Sequence, residues 1–117
     1  MNIGIDIDDT ITAFPEKFIK LMEEWITSGF NIYILTGNKN NDMPRAARLR
    51  QLKKLGVTPR HYTELCIVNT PSDALLPLKK GIAAYQKKLD IFIDDDLKNC
   101  QEVSRRLPNC LCFNLWW

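Results

Sequence analysis

Two short apolar runs in this chain, Ile3-Gly4-Ile5 near its start and Ile91-Phe92-Ile93 near its end, pass directly into aspartate clusters, Asp6-Ile7-Asp8-Asp9 and Asp94-Asp95-Asp96. Acids crowded in this way repel one another and do not all ionise cheaply unless positive charge sits among them. A divalent cation with oxygen ligands meets that need. Ligands of open α/β sheets bind outside the carboxyl ends of the strands, so a fold that makes both runs parallel strands gathers both clusters at one end. The pattern predicts a parallel sheet with a hard-cation, phosphate-handling site at its carboxyl edge.

The rest of the chain alternates apolar runs with helical patterns, as a helix-covered parallel sheet requires. Strands are predicted over residues 2–7, 31–35, 65–69, 91–93 and 111–115. Pro15 opens a helix in which Phe18, Leu21, Met22 and Trp25 recur at helical spacing, with Glu16, Glu23 and Glu24 on the wet side and Gly29 as its stop. A second helix follows Asp42 as N-cap and runs through Leu49, Leu52 and Leu55 to Gly56. Its Arg45, Arg48, Arg50, Lys53 and Lys54 read as a solvated face, with a polyanion-binding surface as the alternative. Pro77 opens a third helix with Leu78, Ile82, Tyr85 and Leu89 as its apolar stripe and Gly81 as an unfavourable interior residue. Lys79 and Lys80 in its first turn oppose the helix dipole, which suggests that one of them is placed for an anion. Asp96 is the expected cap of a fourth helix that turns Cys100 and Val103 inward.

A chain of 117 residues buries one core, so residues 1–117 are read as a single domain. With 16 Lys and Arg against 14 Asp and Glu, bulk charge implies no affinity for nucleic acid. No apolar run has the length of a secretion signal or a membrane span, which predicts a cytoplasmic protein that engages no membrane. Cys66, Cys100, Cys110 and Cys112 lack zinc-ligand spacing and are expected to be reduced core residues. Cys110 and Cys112 share one face of a strand, which leaves a redox or metal role open. His61 is expected at the surface, and Thr10 is expected to brace the acidic loop.

Four pieces fall in order at strand ends or helix starts: Asp6-Ile7-Asp8-Asp9-Thr10, then Thr36-Gly37-Asn38, then Lys79-Lys80, then Asp94-Asp95. Together they resemble the haloacid dehalogenase (HAD) superfamily, mostly phosphatases, over nearly the whole chain. The resemblance implies a three-layer Rossmann-like α/β fold, a five-stranded parallel sheet with helices on both faces. It also implies Mg2+-dependent phosphomonoester hydrolysis through an aspartyl phosphate. Asp6 matches the nucleophile, and Asp8 the general acid that later activates water. Thr36, with backbone groups around Gly37 and Asp9, matches the phosphate-binding set, and Lys80 or its neighbour Lys79 matches the lysine that neutralises the transferring group. The family holds its ion with the first Asp, the backbone carbonyl of the second and a late acid, which implies Asp6, Asp8 and one or both of Asp94 and Asp95. Asp95 with Asn99 fits a family variant of that last motif. Asp9 stands where the family often has Gly, which adds an acid and removes backbone freedom.

One helix fills the stretch between Thr10 and the second strand, and one fills the stretch after Asn38, so neither usual place for a cap domain holds one. The site is expected to be open, with the basic second helix on its rim. It is expected to take a phosphorylated small molecule or a nucleic-acid end, with a lid lent by a second copy of the chain in a homo-oligomer as one arrangement. The alternatives are a non-catalytic, receiver-like module that accepts a phosphoryl group, and a degenerate HAD-like binding protein. Receivers carry their acceptor acid after the third strand, where this chain has Val68-Asn69-Thr70. The intact set of Asp6, Asp8, Thr36, Lys80 and Asp94 weighs against the degenerate protein.

Overall fold

Ile3 and Ile5 in one apolar run and Ile32 and Ile34 in the next supply the β-branched side chains that pack well on a pleated sheet covered by helices. The computed structural model describes residues 1–40 and 42–115. Its elements are β1 (Asn2–Ile5), α1 (Pro15–Thr27), β2 (Asn31–Lys39), α2 (Arg45–Leu55), β3 (Glu64–Thr70), α3 (Leu76–Gln86), β4 (Ile91–Asp94), α4 (Leu97–Arg106) and β5 (Leu111–Asn114). All five strands are parallel, in the order β3-β2-β1-β4-β5, with helices on both faces. Phe18 and Met22 of α1 and Leu52 of α2 bury one face against Ile3, Ile5, Ile32 and Ile34. Ala84 of α3 and Cys100 and Val103 of α4 bury the other against Leu35 and Phe92.

The chain moves outward from β1 to β3 and then returns to place β4 on the far side of β1. This reversal makes the carboxyl ends of β1 and β4 neighbours: Ile5 pairs with Ile93, and Asp6 N–H donates to Ile93 O at 3.0 Å. A crevice opens at such a switch point, between loops that leave in opposite directions. No helix among the described residues is long and apolar enough to cross a membrane.

Several local expectations are corrected. β1 stops at Ile5 rather than residue 7, and the acids occupy a five-residue turn, Ile7–Ile11, extended at Asp8 (φ −67°, ψ 131°) and left-handed at Asp9 (φ 57°, ψ 12°). β2 continues four residues beyond the expected exit because β3 runs beside it, pairing Thr36 with Ile67 and continuing to Lys39 with Thr70. Asp42 does not cap α2. Pro44 holds that place, and Asn38 Oδ1 accepts the Met43 N–H at 2.9 Å. In α3 the apolar stripe points outward, with Leu78, Ile82 and Tyr85 exposed; Leu89 is buried but lies past the helix. Lys80, Gly81 and Ala84 face inward instead. A Cβ on Gly81 would come within 2.7 Å of Glu102 Cγ, so the glycine that looked unfavourable permits the close approach of α3 to α4.

His61 is not at the surface. It is 2 % exposed in the short turn Pro59–His61, where Nδ1 accepts the Thr58 N–H at 3.0 Å and Nε2 lies 3.7 Å from Glu23 Oε2. All four cysteines are free thiols; Cys100 and Cys110 are buried, Cys66 and Cys112 half-buried, and the Cys110 and Cys112 sulphurs lie 4.0 Å apart. Gly29 and Gly56 end their helices as expected, both in the left-handed region. Asp96 caps α4, its Oδ1 accepting the Lys98 N–H at 2.9 Å.

Candidate active site

The floor of the crevice is set by the two strands that end in acids. Asp6 leaves β1 buried, and Asp94 ends β4 with no exposure at all. Carboxylates in such a place need a cation or a proton. Lys80 supplies the cation: its stem crosses from α3, it is 1 % exposed, and Nζ donates to Asp6 Oδ1 and Asp94 Oδ2, each at 2.8 Å. Lys79 does not reach the acids and lines the surface beside β3.

One lysine does not balance the site. Asp6, Asp94 and Asp95 each bring an oxygen within 4.8 Å of the others. Burial, reinforced by Asp94 and opposed by Lys80, pushes the Asp6 carboxyl up to about 8. Asp95 is also raised, by burial first and then by Asp94. Burial disfavours the charged form of Lys80, but Asp6 and Asp94 outweigh it and hold the ammonium protonated above the ordinary lysine range. Burial and the neighbouring acids therefore favour a proton within the cluster, and Lys80 opposes it.

The donor chemistry fits a hard cation. Three carboxylates converge, and Asn99, buried with Nδ2 donating to Asp94 Oδ2 at 3.2 Å, leaves its Oδ1 buried without a hydrogen-bond partner. An orphaned amide oxygen beside three acids is an oxygen donor of the type that magnesium takes. The two late acids also differ. Asp94 spends Oδ1 on the Asp96 N–H (2.9 Å) and Oδ2 on Lys80 and Asn99, and lies behind the cleft wall. Asp95 is half-buried on that wall, with Thr10 Oγ1 donating to its Oδ1 at 3.5 Å.

The cleft above holds about 350 Å³. Asp6, Asp8, Asp9, Gly37, Lys80, Asp95 and Asn99 line it, and Asp42, Asp73 and Asp96 lie around the mouth. The structure does not bring Thr36 to that lining. It sits mid-strand, fully buried, its Oγ1 without a partner. Asp8 is outside the trio of acids; its side chain turns to α2, where Arg48 Nη1 donates to Oδ2 at 3.0 Å and Gln51 Nε2 to Oδ1 at 3.1 Å. Arg48 overturns the solvated reading of the basic run at one position, being 6 % exposed. Its signal was present, since it stands four residues before buried Leu52 and so on the same face. Arg50, Lys53 and Lys54 are exposed and do not line the cleft; of the expected basic rim Arg48 lines it, together with Lys39 of β2 and with Asp42, Asp73 and Asp96.

No protein-family model matches the chain, and no curated protein matches it. Among solved structures, a chain of the Pnkp1/Rnl/Hen1 RNA repair complex aligns with a TM-score of 0.71 at 15 % identity, over 97 % of this chain and 42 % of that one. A second structure of the Pnkp1/Rnl/Hen1 complex gives 0.69 at 16 % identity, over 97 % of this chain and 45 % of that one. A protein of the universal stress protein family from Burkholderia pseudomallei gives 0.55 at 13 % identity, over 99 % and 96 %. The chain thus spans less than half the length of the RNA-repair chains it matches. At these identities the likeness shows the α/β fold alone.

Proposed function

We propose that the protein is a Mg2+-dependent phosphomonoester hydrolase. The observation that carries this is the fully buried Lys80 held between two strand-end acids, Asp6 and Asp94, on the floor of an open cleft, with Asp95 and the unpartnered Asn99 Oδ1 beside them. Acids perturbed by burial and by a specific charge partner in a cleft mark a candidate functional site, and the acid in excess of Lys80 suits a divalent cation.

Asp6 and Asp95 would hold the ion at the cleft wall with Asn99 Oδ1 and the Asp8 carbonyl, while Asp94 stays behind as the partner of Lys80. When bound, magnesium neutralises the acids and draws charge from the phosphoryl oxygens. An Asp6 carboxylate oxygen bonds to phosphorus as the bond from phosphorus to the alcohol oxygen breaks, and the departing oxygen takes a proton from Asp8. Water then attacks the aspartyl phosphate, passes its proton to Asp8, and inorganic phosphate leaves with Asp6 restored. Lys80 and the backbone around Gly37 stabilise the charge that spreads over the phosphoryl group.

The substrate class is a phosphorylated small molecule or a nucleic-acid end. Likeness to chains of an RNA repair complex supports including 5′- and 3′-phosphorylated oligonucleotides among the substrates tried. The mouth carries mixed charge, with Lys39 paired to Asp73 at 3.4 Å beside Asp42 and Asp96, so compact and oligonucleotide substrates are both to be tried. The test is magnesium-dependent turnover of p-nitrophenyl phosphate by the wild type and by Asp6→Asn, which preserves shape but removes the nucleophile. Turnover by Asp6→Asn near the wild-type rate would exclude the mechanism.

A further inference from the structure

Arg48 is a buried charge that this mechanism leaves unused. It lies in the first turn of α2, its N–H bonded to Pro44 O at 3.2 Å, and its guanidinium points inward with only 7 % of the side chain exposed. Burying a guanidinium is unfavourable unless its charge is matched and its donors are occupied. Nη1 donates to Asp8 Oδ2 at 3.0 Å and to Gln51 Oε1 at 2.9 Å, and Nη2 donates to Gly37 O at 2.9 Å. Gln51 returns its Nε2 to Asp8 Oδ1 at 3.1 Å. Asp8, Arg48 and Gln51 therefore close a ring in which both carboxylate oxygens are held from α2. The other arm of the fork grips the carbonyl of Gly37, next to Thr36.

A brace that only fastened α2 to the sheet would pair with an acid of the interior. This one reaches a carboxylate at the cleft, whose side chain is still 56 % exposed. We propose that Arg48 and Gln51 are a positioning pair that aims Asp8 at the departing alcohol oxygen, a role that rests on the phosphomonoesterase reading above. The ring also suits proton transfer. When the bond from phosphorus to the alcohol breaks, its electron pair stays on oxygen, which takes the Asp8 proton. Nη1 also donates to Gln51 Oε1, so this arm of the guanidinium stays held as the Asp8 carboxyl does its work, while Nε is buried without a partner. A lysine could not replace the planar fork, since one ammonium cannot meet Asp8, Gln51 and Gly37 at these angles.

The test compares two leaving groups through kcat/KM, which reads the steps up to departure of the alcohol. p-Nitrophenolate leaves without a proton, whereas the ribose oxygen of a nucleoside 5′-monophosphate needs one. Arg48→Lys and Gln51→Leu should each lower kcat/KM on the nucleotide roughly ten- to a hundredfold while p-nitrophenyl phosphate falls less than about threefold. In an Asp8→Asn background, Arg48→Lys should cause no further loss. Equal losses on both substrates, or an undiminished further loss in the Asp8→Asn background, would show a structural brace and overturn the proposal. If Arg48→Lys does not fold, Gln51→Leu, at a half-buried position, decides the matter. A wild type inert on both substrates would overturn the phosphatase reading and this one with it; activity that Asp6→Asn abolishes, without the split, would overturn the positioning role alone.

Discussion

Replacing Lys80 with Met removes the ammonium that sits between Asp6 and Asp94 while keeping most of the stem volume. At the 2.8 Å separations seen to Asp6 and Asp94, each contact has a gross Coulomb energy of about 6 kcal/mol at an effective dielectric of 20. The net loss is smaller, because desolvation of the ammonium is regained and Asp6 takes up a proton. Breaking a buried pair by deleting one partner costs about 3–5 kcal/mol, against a total stability of about 5–15 kcal/mol for a domain. In metal-free urea unfolding at pH 7, with a slope of about 1–3 kcal/mol/M, the midpoint should fall by roughly 2 M. The pH dependence has a definite sign. With the lysine gone, the native acids bind protons more tightly than those of the unfolded chain, so the variant regains stability as pH falls from 7 to 5 and loses it as pH rises. Magnesium should restore part of the deficit, by about 2.7 kcal/mol at a hundred times its dissociation constant. A loss under about 1 kcal/mol at pH 7, unchanged at pH 5, would refute the placement of Lys80 between the two acids.

Three further outcomes follow from the same geometry. Because the Asp6 carboxyl sits at about 8 without a cation, magnesium binding at pH 7 should release close to one proton and at pH 9.5 almost none, read by calorimetry in buffers of different ionisation heat; no release at pH 7 would contradict the raised value. Asp95→Asn should weaken magnesium binding with little change in unfolding midpoint, whereas Asp94→Asn, which disturbs the Lys80, Asp96 and Asn99 bonds, should lower stability by about 1–3 kcal/mol; the reverse pattern would exchange their roles. Gly81→Ala should destabilise by about 1–3 kcal/mol despite alanine's better helix propensity, because its Cβ meets Glu102 and Arg106; a rise in the thermal midpoint would show that α4 yields freely.

The strands were legible in the sequence because each is a short β-branched run bounded by polar residues, and their parallel order followed from the helices between them. The acids at the ends of β1 and β4 were legible for the same reason, since strand direction alone assigns them to one edge of the sheet. Chain order of the motifs singled out Asp6, Asp8 and Asp94, but it did not separate Lys79 from Lys80, because adjacent residues on a helix differ only in the direction they point. That direction was decided by which face of α3 meets α4, where Gly81 permits the approach and turns Lys80 inward. Apolar spacing misled there: Leu78, Ile82 and Tyr85 kept a helical period on the outer face, while the inner face consists of small residues and one lysine. Arg48 failed in the opposite sense, as a charge within a basic run whose burial depends on Asp8 and Gly37, residues remote in sequence. Burial of His61 and extension of β2 past Thr36 likewise depend on partners in other segments, Thr58 and Glu23 for the ring and β3 for the strand. Local pattern determined which elements form and which strand ends carry acid. Which charges are buried, and against what, was decided only where distant segments meet, because the free energy of a buried charge is set by the partners that replace its water.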